Sequence, residues 1–339
     1  MRINETFKIE NFEKSVFHRG EKMKIDTHVH FRDEEQSYKE TIAHGLNVAK
    51  EQGVEYVFDM PNTAKPVLRK EDVERRIALV PESEKGRYFL YVGATTNEEQ
   101  LKEVINLVKE KKEVIGIKMF AGKSTGDLQI LSEEDQKKVY QILTNNNYTG
   151  VISVHCEKEA FMTNTFDPLD PISHATSRPK EAEIESVKDQ IKFVRETGFG
   201  GTLNICHVSC AESVELVQDA KKEIKITCEV TPHHAMWSNE KLKEQNGLLY
   251  KMNPPLRDKE DVAALQKCIC DGKIDFVGSD HAPHTIGEKL YGPYPSGCPS
   301  LYNYKNFVEE FLPSIGVSEK LINEMTFKNI NNIFNLGLM

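Results

Sequence analysis

The stretch GIKMFAGKST (116–125) decides between two folds. Its end, Gly-Lys-Ser, is how a phosphate-cradling loop ends, and such a loop would open a doubly wound nucleotide-binding sheet. That motif needs a glycine, four further residues and then Gly-Lys-Ser/Thr. Counting back from Gly122, the position falls on Ile117, and Gly116 stands one place early. The backbone N–H groups would not close on a phosphate. The other reading places a lone lysine, Lys118, inside an apolar β-run, VIGIKMF (114–120).

Further runs of the same kind flank it, at 23–31, 55–60, 88–94, 151–156, 202–208, 224–230 and 274–280. Helical patterns lie between most of them. YKETIAHGLNVAKEQG (38–53) is one; NEEQLKEVINLVKEKK (97–112) is another and sets Leu101, Val104, Ile105 and Val108 on one face. Ser132, with Asp135 three residues on, opens a further helix as a short capping box. Strands that alternate with helices are parallel, because parallel neighbours need crossovers. Eight such units in one chain predict an α/β (β/α)8 TIM barrel. The expected organisation of the 339 residues is one domain. It has a barrel core at about 24–310, a short N-terminal extension at 1–23 and a C-terminal helical segment at 311–339. Two polar loops, FDPLDPISHATSRP (166–179) and KLYGPYPSGCPS (289–300), are expected to shape a pocket at the barrel mouth.

Composition narrows the functional classes. Charged residues make up 29% and hydrophobic ones 39%, as in a soluble globular protein. A net charge of -9 argues against nucleic acid as a partner. A mean hydropathy of -0.51, with no long apolar run, argues against a membrane span. The first residues lack the apolar core of a signal peptide. Seven cysteines, an odd number with no C-x-x-C pair, read as reduced thiols of a cytoplasmic protein. Cys156 and Cys206 each adjoin a histidine and read as small buried hydrophobes, with a thiolate ligand left open.

The unusual polar residues share one location. His28 and His30 end the first run, Asn62 follows the second and Lys118 lies near the end of the fourth. His155 and His207 end the fifth and sixth, and Asp280 ends the eighth, with His284 just beyond. Strand C-termini are where barrel enzymes build their sites. Residues two apart on a strand face one side, so His28 and His30 can grip one metal ion. Several unrelated core histidines would each need a buried partner instead. A neutral Lys118 amine can take up carbon dioxide and become a carbamate, whose two oxygens can bridge two metals roughly 3.5–4 Å apart. His18, His44 and His174 read as surface residues, and His233 and His234 as supporting groups near the site.

Taken together these residues resemble the amidohydrolase superfamily and, within it, the dihydroorotase family. The likeness runs from about Ile25 to Glu288 through DTHVHFRDEEQSYKETI (26–42), DMPNT (59–63), HVSCAES (207–213), KMNPPLRDKEDVAAL (251–265) and VGSDHAPHT (277–285). The resemblance implies two zinc ions. His28, His30 and Asp280 would hold the first, His155 and His207 the second, and carboxylated Lys118 would bridge them. It implies attack by a hydroxide between the metals on a cyclic amide, with Asp280 as general acid and base, in pyrimidine biosynthesis. Arg32, Asn62 and His284 would hold a substrate carboxylate, Asn253 would sit near the ring, and Ala121–Leu128 would close as a lid. A homodimer is the expected assembly, and association with aspartate transcarbamoylase remains open.

Three departures from the family are visible. The β-sandwich built from both chain ends is expected to be absent or vestigial. Some members carry aspartate where Lys118 stands. GCPSLYNY (297–304) matches the usual Gly-Leu-Pro segment only loosely. The alternatives are another cyclic amidase (an allantoinase or a dihydropyrimidinase/hydantoinase) and a non-catalytic partner of aspartate transcarbamoylase.

Overall fold

Alternation along the strand of the opening stretch settles its reading. In the computed structural model, which describes residues 23–124 and 126–338, Val114–Ala121 is a fully buried strand, β4. Ile117, Met119 and Ala121 pack outward into the main hydrophobic core, while Lys118 and Phe120 face the barrel interior. The other strands are β1 (Ile25–Val29), β2 (Tyr56–Asp59), β3 (Tyr88–Gly93), β5 (Val151–Cys156), β6 (Thr202–Ile205), β7 (Ile226–Val230) and β8 (Phe276–Val277). All pair in parallel in the order β1 to β8. His30 N–H donates to His281 O at 2.7 Å and Val29 bridges His281, which brings the last strand's exit back to the first. The expected barrel is therefore the observed fold, and no second sheet occurs among the described residues.

Helices cover the outside, among them Ile42–Glu51, Glu98–Glu110, Glu133–Asn145 and Lys180–Thr197. Ser132 caps the third of these by accepting from Asp135 N–H at 3.0 Å. No helix of the described residues is long and apolar enough to cross a membrane. The expected N-terminal extension, His18 included, lies outside the described residues apart from Met23.

Inside, the side chains form layers. Phe58 of β2, Tyr91 of β3 and Phe276 of β8 surround Phe334 from the C-terminal helical segment, with ring centroids 5.0–6.2 Å from it. This aromatic plug closes the N-terminal end of the barrel. Above it a polar chain crosses four strands: Ser153 donates to the Tyr91 hydroxyl (3.3 Å), Asn204 to Ser153 (3.2 Å) and Thr227 to Asn204 (2.9 Å). His28, His30, Lys118, His155, His207 and Asp280 lie above these two layers, at the C-terminal strand ends.

The run at 274–280 forms a shorter strand than its composition suggests. Only Phe276 and Val277 pair in the ladder, because Asp280 turns to φ +49°. The reading of His174 as a surface residue is corrected. The 166–179 loop folds back over the mouth as a short helix, Ser173–Ser177, and buries His174 with its Nε2 2.8 Å from Met252 O and its ring against Phe166.

Beneath the β1 exit lies a buried ion pair. Arg76 Nη2 meets Asp59 Oδ2 at 2.7 Å, Tyr88 donates to the same oxygen, and Asp59 Oδ1 accepts from Phe31 N–H at 2.9 Å. Arg76 also donates to the carbonyls of Phe31 (3.2 Å) and Arg32 (2.7 Å), so it shapes the backbone that presents Arg32. Removing one partner leaves an uncompensated buried charge. Arg76→Met should lower unfolding free energy by about 3–5 kcal/mol in urea titration, whereas Tyr88→Phe should cost only about 1–2 kcal/mol.

Candidate metal centre and active site

Two groups of donor atoms converge at the barrel mouth. In the first, His28 Nε2 and His30 Nε2 are 3.2 Å apart, and Asp280 Oδ1 lies 3.4 Å and 2.9 Å from them. A tetrahedral zinc ion with bonds of about 2.0–2.1 Å sets its donors about 3.3 Å apart, so this triangle matches one ion. The outer nitrogens are tied down: His28 Nδ1 to Glu229 Oε1 at 2.7 Å, His30 Nδ1 to Asn62 Oδ1 at 2.7 Å. Each outer N–H so engaged turns the Nε2 lone pair toward the shared point. Burial lowers both imidazoles. In His28, Glu229 and Asp280 overcome it and raise the pKa to about 10, whereas His30 falls to about 4. A cation entering this triangle must displace the His28 proton.

In the second group, His155 Nδ1 lies 3.0 Å from His207 Nε2. Burial depresses both rings, and the nearby Lys118 charge depresses them further. His207 Nδ1 is buried without a hydrogen-bond partner. His155 Nε2 is 3.0 Å from Glu157 Oε2, at an angle too oblique for a good hydrogen bond. Arg178 grips Glu157 with two nitrogens, at 3.1 Å and 2.5 Å, and with His155 holds its carboxyl below the usual range despite burial. The His28 and His207 rings, 5.3 Å apart, join the two groups.

Lys118 stands between them. It is 0% exposed, and its Nζ finds only Cys206 Sγ at 3.0 Å and the Phe120 ring at 5.1 Å. No carboxylate lies within ion-pair distance among the described residues. An isolated buried ammonium is costly. A carbamate beside cations removes that cost, so the donor set fits two metals better than it fits none.

The backbone is bent to make this arrangement. His207 and Asp280 both have left-handed φ, +37° and +49°, which is uncommon for residues other than glycine and typical of functional sites. Asp280 is held there by its neighbour Ser279, whose N–H donates to Asp26 Oδ1 at 2.8 Å and whose carbonyl accepts from Ser300. Gly278 is required by close approach, since a Cβ there would sit 2.6 Å from Glu229 Cδ.

The same cavity is also lined by a buried arginine. Arg32 is 3% exposed, donates from Nε to Pro283 O at 3.2 Å, and has no carboxylate within ion-pair distance among the described residues. Its Nη2 lies 3.4 Å from His284 Nε2. His284 is held neutral by burial and by the Arg32 and Lys39 charges. Asn253 Oδ1 is buried without a hydrogen-bond partner.

Nine of the ten residues singled out in the sequence (His28, His30, Arg32, Asn62, Lys118, His155, His207, Asn253 and Asp280) line one cavity of about 410 Å³ including its mouth. His284 stands directly behind Arg32. Ser124 of the expected lid lines the same cavity, and Thr125 lies outside the described residues. Asn62 differs from expectation in one respect, since its Oδ1 is turned to His30.

Glu229, Glu157 and Arg178 were missed. Glu229 left a readable signal, as the single acidic residue of an apolar strand, ITCEV.

A family model described as "Amidohydrolase family" matches residues 24–329. The chain belongs to the amidohydrolase family. It is 32% identical over 331 residues to a dihydroorotase of Fusobacterium nucleatum, covering 92% of this chain and 72% of that one. It is 33% identical over 293 residues to a dihydroorotase of Methanosarcina mazei, covering 82% and 61%. The chain thus spans between about three-fifths and three-quarters of these relatives' length. Among solved structures, an L-hydantoinase (dihydropyrimidinase) from Arthrobacter aurescens superposes with a TM-score of 0.77 at 20% identity, over 92% of this chain and 70% of that one. A dihydroorotase from Saccharomyces cerevisiae, in complex with 5-fluoroorotic acid, superposes with 0.74 at 16% identity, over 93% and 84%. These two share the fold.

Glu229→Gln should weaken metal retention about 10–100-fold, the usual effect of losing a carboxylate behind a ligating histidine. Zinc content after graded chelator dialysis checks this, with circular dichroism confirming the fold.

Proposed function

We propose that the protein is a dihydroorotase, a metal-dependent cyclic amide hydrolase that interconverts L-dihydroorotate and N-carbamoyl-L-aspartate in pyrimidine synthesis. The observation that carries this reading is Arg32, a buried guanidinium without a protein carboxylate, facing the metal donors across one small cavity. Such a group calls for an anionic substrate. Dihydroorotate carries a ring carboxylate next to a cyclic amide. Hydantoin and dihydropyrimidine rings carry none, which weighs against the hydantoinase alternative despite the shared fold. The curated relatives above support the same choice.

Two zinc ions held by His28, His30, Asp280, His155, His207 and carboxylated Lys118 would supply activated water and polarise the amide carbonyl. The remaining work falls to the chain's own residues. Arg32 binds the ring carboxylate, with Asn253 beside the ring. Beside Arg32 stands His284, whose Nε2–H donates to Ser296 O at 3.2 Å while Nδ1 accepts from Lys39 at 3.3 Å. Asn62 fixes the His30 tautomer. Asp280, 2.9 Å from His30, takes a proton from the attacking water and gives it to the departing ring nitrogen, since an amide nitrogen leaves poorly without one. The C–N bond breaks, the carbonyl carbon becomes a carboxylate, and the reverse sequence closes the ring with loss of water. Free cysteines throughout the described residues fit a reducing, cytoplasmic setting.

The direct test is turnover of L-dihydroorotate by the zinc-loaded protein, with allantoin and dihydrouracil alongside. Opening of dihydroorotate alone is expected; preference for either other ring overturns the reading. Arg32→Met should keep its metal and raise KM for dihydroorotate about 10- to 100-fold. Unchanged kinetics would remove Arg32 from the carboxylate site. Lys118→Ala should lose zinc as well as activity, and full zinc content in that variant, by atomic absorption, would sink the bridging role.

A further inference from the structure

Outside the metal cavity, and continuous with it through Ser124, Asn253 and Ser296, lies a second chamber of about 800 Å³ including its mouth. Its wall carries a further buried cation. Lys251 is 8% exposed, and its Nζ donates to Tyr294 O (2.8 Å) and Ser296 Oγ (3.0 Å) and lies 4.6 Å from the Phe166 ring centroid. No carboxylate lies within ion-pair distance of it among the described residues. Lys123 stands exposed on the same wall. Arg178 lines it too, but Glu157 already takes its charge.

The neighbouring groups register this unbalanced charge. Burial and then Arg178 lower the Lys251 amine to about 8, which leaves it cationic at neutral pH. Burial and then Lys251 lower the His174 imidazole to about 3. Thr163, Asn164 and Ser177 add polar groups to the wall. A positive chamber rich in hydrogen-bonding groups is suited to a small anion.

The reaction proposed above creates such an anion. Ring opening adds one water, breaks the C–N bond and converts the carbonyl carbon into a carboxylate, so a monoanionic ring becomes an open-chain dianion. Arg32 meets the carboxylate common to both. The new carboxylate is born at the metal end and has to leave through the mouth. Resting on that functional reading, we propose that the outer chamber is a binding site for the open-chain dicarboxylate, in which Lys251, with Lys123 at the rim, receives the carboxylate freed by ring opening. With its one carboxylate on Arg32, the ring has no second anion for Lys251, so the site distinguishes the two sides of the reaction.

The test compares Lys251→Met, Lys251→Arg and Lys123→Met in the metal-loaded full chain. It measures kcat and KM in both directions and inhibition of ring opening by N-carbamoyl-L-aspartate. Lys251→Met should raise the inhibition constant of the linear acid about tenfold, or ~1.4 kcal/mol. Lys123→Met should raise it about two- to threefold, as for an exposed charge. KM for the ring should rise about twofold at most in either variant. The equilibrium constant fixes the ratio of the two kcat/KM values. A variant that loosens the linear acid alone must therefore raise both KM and kcat of cyclisation by the same factor, and Lys251→Arg should restore both. Lys251 also holds the loop at Tyr294–Ser296. If that is its whole role, KM for the ring and the inhibition constant will rise together, which overturns the proposal. Unchanged inhibition constants overturn it as well, and Lys123→Met decides the matter if Lys251→Met fails to fold. A wild-type protein that binds zinc but does not open dihydroorotate overturns the functional reading itself, a result distinct from ring opening with unaltered product affinity.

Discussion

One buried carboxylate, Glu229, ties the site to the barrel. Its two oxygens take hydrogen bonds from Thr27, His28 and the backbone N–H of His207, and Gly278 leaves the room it occupies. Residues from β1, the turn after β6, β7 and the exit of β8 are therefore set by a single side chain. A bare carboxylate in such surroundings would be strongly destabilising. Here every oxygen is satisfied, and the negative charge is matched by whatever cation His28 binds or by the proton it carries in its absence. The geometry of the metal donors and the closure of the barrel are thus one problem with one solution.

The same logic separates what the sequence makes legible from what it hides. His28, His30, Lys118, His155, His207 and Asp280 were visible because a polar group inside an apolar strand needs a reason, and six at equivalent strand ends need a common one. The supporting residues were not. Glu229 meets His28 across 201 positions of chain, and Arg178 meets Glu157 only because the mouth insertion turns inward. His174 shows the limit well. A histidine in a loop of Asp, Pro and Ser reads as solvated, and only the folding of that loop onto Met252 and Phe166 makes it a buried, neutral group. Strand ends suffer likewise: the apolar run 274–280 gives no hint that Gly278–Asp280 leave the ladder so that the Asp280 side chain can swing to His30.

The layers explain why the barrel tolerates so much charge at one end. The aromatic plug around Phe334 and the hydroxyl–amide chain above it fill the lower barrel interior with uncharged side chains. The candidate site residues form a shell that opens on the mouth. Within that shell four imidazoles gather with Asp280 and Lys118, and Arg32 lines the same cavity without a carboxylate within ion-pair distance among the described residues. A ring that is an anion at one edge and an amide at the other fits between them in one orientation only.

Lys118 and Arg32 then pose the same physical question and answer it differently. Both are buried cations without a carboxylate from the protein. Arginine cannot give up its charge, so Arg32 calls for an anion from outside, and a substrate carboxylate would meet that need each turnover. A lysine amine can change its chemistry. Next to donors arranged for cations, a fixed ammonium would oppose the metals it faces, whereas a carbamate would bind them. The alternation of β4 points Lys118 inward, no carboxylate among the described residues comes within ion-pair distance of it, and the missing negative charge is one the amine itself can acquire.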